Sequence, residues 1–175
     1  LLAAAVAWVS PSHAQTDELN AERQVKAAFL YKFAGYVDWP PGALGAPDAP
    51  FAIGVLGAEP LAVELTQVVN GRKVQERPIT VRRLKGGEAL SDVAILFVGK
   101  TETARLKSLM SAQPPRPILV VTESEGALAQ GGMINFLVVD RRVRFEISLD
   151  SAEKSGLRLS SRLLAVAQKV QTGSP

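Results

Sequence analysis

The chain has 175 residues, no cysteine, one histidine (His13) and a formal net charge of +3. His13 falls in an N-terminal segment that reads as a signal peptide, so the exported chain is expected to carry neither imidazole nor thiol. That excludes zinc sites built on Cys and His, and Ser-His-Asp or Cys-His nucleophilic machinery. Twenty basic against seventeen acidic side chains, with a pI near 9.4, is a mild imbalance. The densest basic stretch (Arg72, Lys73, Arg77, Arg82, Arg83, Lys85) carries neither interleaved aromatics nor a recognition helix, so it predicts a solvated face and no nucleic-acid partner.

Leu1 to Val9 is apolar and is followed by Ser12 and Ala14 at the spacing of a cleavage site. This reads as a signal peptide over 1–14, cut after Ala14, with a single exported domain over 15–175. The apolar run is too short to span a bilayer, which takes ~20 residues. The first helix is expected over Glu18–Tyr36, with Val25, Phe29, Phe33 and Tyr36 on one stripe, and Trp39-Pro40-Pro41-Gly42 beyond its end.

Phe51–Leu56 predicts a short buried strand. Pro60 opens a helix carrying Leu61, Leu65 and Val68, closed by Asn70-Gly71. Ile79–Leu84 alternates and predicts a half-exposed strand; Val93–Val98 is wholly apolar and predicts a central one. Thr101 or Thr103 is expected to cap a helix bearing Leu106, Leu109 and Met110. Ile118–Thr122 predicts another buried strand, and Ser124–Gln130 a short helix.

Asp140-Arg141 is read as a two-residue hairpin turn. Val138 then faces Val143, Phe136 faces Phe145, and Ile134 faces Ile147 on one sheet face. The other face sets Leu137 beside Arg144 and Asn135 beside Glu146. Asp150-Ser151-Ala152-Glu153 is read as a capping box opening a short helix, and Ser161–Val170 as the last helix. Strands alternating with helices predict an α/β fold, a mixed sheet flanked by helices in three layers, with the C-terminal antiparallel hairpin at its edge.

Six carboxylates (Asp38, Asp92, Glu123, Glu125, Glu146, Asp150) are the candidates for histidine-free acid–base chemistry, but no pair has the spacing for it. No catalytic residue, metal or cofactor is assigned. The binding candidates are Tyr36, Trp39 and Pro40 at the exit of the first helix, and Asn135, Arg144 and Glu146 on the polar side of the hairpin, with Arg158 expected near them. Trp39 has two readings, a hot spot for a partner or a lid on the core.

Three blocks carry a resemblance: Val25-Lys26-Ala27-Ala28-Phe29-Leu30-Tyr31-Lys32-Phe33 with Val37-Asp38-Trp39-Pro40; Gly131-Gly132-Met133-Ile134-Asn135-Phe136 with Arg142-Val143-Arg144-Phe145-Glu146-Ile147; and Leu157-Arg158-Leu159-Ser160-Ser161-Arg162-Leu163-Leu164. Together they resemble the YfiR-like family over about Ala21 to Val170. The resemblance implies a periplasmic repressor that binds the periplasmic region of an inner-membrane diguanylate cyclase and so lowers cyclic di-GMP and biofilm formation. Ser148 stands where the family often has Asn, and the disulfide cysteines of some members are missing here. A small-ligand sensor without a cyclase partner is the alternative, and a homodimer stays open.

Overall fold

The computed structural model describes residues 12–173. In chain order the elements are α1 (Ser12–Tyr36), β1 (Val37–Asp38), β2 (Phe51–Leu56), α2 (Glu59–Val69), β3 (Lys73–Val74), β4 (Arg77–Leu84), β5 (Val93–Val98), α3 (Leu106–Ser111), β6 (Leu119–Thr122), β7 (Ile134–Val139), β8 (Arg142–Ser148), α4 (Leu149–Lys154), β9 (Arg158–Leu159), α5 (Ser161–Val166) and β10 (Lys169–Gln171). Short 3₁₀ turns precede α3 (Thr103–Arg105) and β7 (Ala127–Gln130).

The continuously apolar segments form the middle of the sheet. β2, β5 and β6 are buried at every residue, as strands covered on both faces must be. Gly54 sits inside β2 because a Cβ there would come within 2.6 Å of Leu84 Cδ1. The main sheet runs β10-β8-β7-β6-β5-β2-β4-β3. Strands β4, β2, β5, β6 and β7 are parallel. From β2 the chain steps to β4 on one side, and β5 to β6 runs the other way. Right-handed crossovers therefore put α2 and α3 on opposite faces. α1 packs beside α2. The result is the expected α/β sheet between helical layers.

The hairpin has the expected register: Ile134↔Ile147, Phe136↔Phe145 and Val138↔Val143. Asp140 and Arg141 both have positive φ, 50° and 58°, the geometry of a turn that matches strand twist. The hairpin is not the edge, however. β10 pairs in parallel with β8, Val170 opposite Ile147. The last helix accordingly stops at Val166 and not Val170, because the final segment completes the sheet.

Other expectations are corrected. α1 begins at Ser12, not Glu18, and runs through the Ala14–Gln15 bond; residues 1–9 lie outside the described residues. Its buried face is Lys26, Ala27, Leu30, Phe33 and Ala34, whereas Val25 is 42% exposed. The helix is rolled because Ala27 and Ala34, small enough for close approach, share its inner face with the large apolar residues. Thr103 is no cap: its hydroxyl bonds Gly99 O and Ser124 Oγ. Asp150 lies inside α4, and Ser148 precedes it. Two-residue strands β1, β9 and β3 have no counterpart in the sequence reading. β1 pairs with β9, Val37 opposite Leu159, and Ser160 N–H donates to Tyr36 O at 2.9 Å, which ties the end of α1 to the start of α5.

Candidate docking trough

α1 lays its aromatics across the β7–β8 hairpin. Phe145 meets Phe29 and Phe33 edge-on, with centroids at 5.3 and 5.2 Å, and Phe136 lies 5.8 Å from Phe33. Phe33, Phe136 and Phe145 are buried, but Phe29 keeps partial exposure. Between α1, β8 and α5 the packing stops short and leaves a groove of about 400 Å³. Phe29, Phe33, Phe145 and Leu163 line it, with Tyr36, Val166, Lys32, Arg144 and Arg162 around them.

A second groove of about 540 Å³ shares Phe29, Val143 and Arg144, and continues past Leu19, Val25 and Val138 toward the turn at Arg141-Arg142. The two make one trough along α1. Five large hydrophobics that line it are exposed: Leu19 (52%), Val25, Tyr36, Val138 and Val166 (64%). A contiguous apolar strip of this kind marks an interaction surface better than scattered apolar residues do. Among the described residues none of Lys32, Arg141, Arg142, Arg144 and Arg162 forms an ion pair. The trough is thus greasy along its length and positively charged at its rim.

Beside it lies a closed polar network. Asn135, 2% exposed, accepts at Oδ1 from the Thr122 hydroxyl (2.8 Å) and the Ser124 N–H (3.0 Å), and its Nδ2 donates to Glu146 Oε1 (3.0 Å). Every polar atom of its amide is used across strands β6, β7 and β8. Further along, Lys26 on α1 bridges Glu22 and Glu123, the latter at 2.6 Å. Burial works against the charge on Lys26, but hydrogen bonds from its ammonium to Glu123 and Glu22 outweigh it and hold the pKa above the ordinary 10.5. Among the described residues no group of three or more His, Cys, Asp or Glu is placed to hold a metal.

The YfiR/HmsC-like family model matches residues 23–168, most of the chain. The chain belongs to the YfiR/HmsC-like family. No curated protein matches it in sequence.

Within this YfiR/HmsC-like chain the sequence candidates separate. Tyr36 and Arg144 meet in the trough. Asn135 and Glu146 are bonded to each other, and Glu146 pairs with neither Arg144 nor Arg158 among the described residues. Arg158 stands apart on β9, opposite Asp38. Trp39 packs edge-on against Phe51 at 5.1 Å, half-buried, and its Nε1 has no hydrogen-bond partner among the described residues. Pro40 closes a turn, its carbonyl accepting from Ala43 N–H at 3.1 Å. The basic stretch is largely used internally. Arg72 covers the Tyr31 ring, Arg77 donates to Leu44, Ala46 and Ala49 carbonyls, Arg82 pairs with Asp92, and Arg83 with Glu59. Lys32, Val143, Arg162 and Val166 escaped the sequence reading. Val166 shares a helical spacing with Leu163, Ala167 and Val170, and nothing in that pattern separates an inward valine from one at a rim.

Proposed function

We propose that this chain is exported, loses residues 1–14, and binds the periplasmic region of an inner-membrane diguanylate cyclase, holding it in a low-output state and so limiting cyclic di-GMP and biofilm formation. Members of the YfiR/HmsC-like family are periplasmic regulators of diguanylate cyclase. The family match over residues 23–168 carries the reading. The exposed apolar trough supports it, with rim cations that form no ion pair among the described residues, because a regulator that acts by contact needs an uncovered surface. The mode of action is linkage, without catalysis. A protein that binds one cyclase state better than the other shifts the population, and a swing from mostly on to mostly off needs ~5.5 kcal/mol of differential affinity.

Deleting the gene is expected to raise cellular cyclic di-GMP, and restoring it to reverse the rise. Unchanged cyclic di-GMP in the deletion strain refutes repression. The size of the groove between α1, β8 and α5, about 400 Å³, also suits a small apolar ligand. On this second reading a metabolite panel raises the melting temperature of the isolated protein, and the deletion leaves cyclic di-GMP alone.

A further inference from the structure

The trough has an open backbone edge in its wall. In the hairpin, Val139–Arg142, Leu137–Arg144 and Asn135–Glu146 flank the two-residue turn at alternate positions, so these pairs exchange the ladder hydrogen bonds. Ser148 N–H donating to Met133 O at 2.8 Å follows the same alternation. The backbone groups of Val143, Phe145 and Ile147 therefore point away from β7. β10 takes up that side from Glu146 onward, and Gln168 N–H takes Phe145 O at 2.8 Å. At Val143 nothing among the described residues continues the ladder. An unpaired strand edge is a template for another strand. This one opens into a groove lined by Phe29, Phe33, Phe145 and Leu163.

We propose that β8 captures an extended segment of a partner as a short added strand at Val143, and that this segment alternates apolar and acidic residues. Side chains of an added strand alternate between the two sheet faces. On the face shared by Val143 and Phe145 they meet the aromatic lining. On the other face they meet Arg144, which among the described residues has no ion-pair partner. Lys32 and Arg162 lie on the aromatic side, at the same groove, and act on the segment only through their field, which favours an acidic segment over a basic one. Main-chain bonds supply affinity in this mode, and the pockets for alternate side chains supply selectivity. The proposal deepens the function proposed above by giving the manner of contact, and it rests on that reading for the identity of the partner.

The probe is a blocked ten-residue peptide of alternating valine and glutamate, with a valine–lysine peptide as control. Amide exchange at Val143 of the whole protein is expected to slow at least ~tenfold with the first and not with the second. Unchanged exchange with the valine–glutamate peptide, or equal slowing with both, overturns the proposal. Val143→Pro removes the outward N–H without costing a bond to β7, so it is expected to abolish peptide binding, while Val143→Thr retains it. Should Val143→Pro unfold, the exchange measurement decides by itself. Repeating the exchange with the purified periplasmic region of the cyclase separates the two readings. A cyclase that binds without protecting Val143 sinks strand capture and leaves the regulator standing. A peptide that seats at Val143 beside a cyclase that does not bind sinks the regulator and leaves strand capture standing.

Discussion

Lys26 shows how one residue fixes a helix to a sheet. It is 5% exposed, it sits on the inner face of α1, and it joins Glu22 on its own helix to Glu123 beyond β6. Removing one partner from such a cluster leaves a charge in a poor solvent, which costs ~3–5 kcal/mol. Lys26→Met is therefore expected to lower unfolding free energy by about 3 kcal/mol in denaturant titration. Lys26→Met with Glu22→Gln and Glu123→Gln recovers much of it, and a triple variant as weak as the single one contradicts the assignment. The pH dependence has a definite sign. A lysine whose folded pKa is raised contributes stability that is complete below the unfolded pKa, ~10.4, and is lost as pH rises through the folded value. The wild-type protein should lose stability above that range more steeply than Lys26→Met does. Trp39 is the second residue-scale case. Its edge-on contact with Phe51 is the packing that a lid, one of the two readings offered by the sequence, requires, and a substitution separates it from a hot spot. Trp39→Ala is expected to cost ~3 kcal/mol with partner affinity intact in the folded fraction. Trp39→Phe is expected to cost far less, since the indole N–H bonds no described residue. Partner binding lost at normal stability would restore the hot spot.

At the scale of elements, legibility tracks how local the determining forces are. The hairpin was readable pair by pair, because a period of two and a turn at Asp140-Arg141 admit one register. β2 and β5 were readable as continuous apolar runs with the observed ends. The terminal segment was not. Leu163, Val166, Ala167 and Val170 fit a helical stripe, yet Lys169–Gln171 is a strand, because β8 offers it a ladder that no local propensity encodes. The two-residue pairing of β1 with β9 likewise exists through tertiary contact. The trough was half legible: Tyr36 and Arg144 were candidates, but their convergence depends on the roll of α1, which placed Val25 outward against the expected stripe. The hairpin core gives the element-scale prediction. Phe136 is 2% exposed and stacks on Phe33, so Phe136→Ala should cost ~3–5 kcal/mol. An unchanged denaturation midpoint is incompatible with this packing.

At the scale of the whole molecule, the distribution of charge is more informative than its total. The net charge is +3, too small to steer by itself. Most of the basic stretch at Arg72–Arg83 is neutralised by carboxylates, carbonyls or a ring, whereas Lys32, Arg144 and Arg162 line the trough without ion-pair partners among the described residues. Such a local field accelerates encounter with an acidic surface and is weakened by salt, with a screening length of ~8 Å at physiological ionic strength. The apolar residues act at a different step, since buried contact governs dissociation. The two contributions are therefore separable on the proposed cyclase partner. Lys32→Gln, Arg144→Gln and Arg162→Gln together are expected to slow association ~tenfold at low salt and to flatten its salt dependence, with dissociation little changed. Val166→Asp places a carboxylate at a residue that is 64% exposed. It should leave the melting temperature alone and speed dissociation ~tenfold or more. Stopped-flow association at two ionic strengths and a chase for dissociation read both effects. If the triple variant associates at the wild-type rate with the wild-type salt slope, the partner approaches by another face. If Val166→Asp dissociates normally, the partner is steered by the rim but does not seat between α1 and α5.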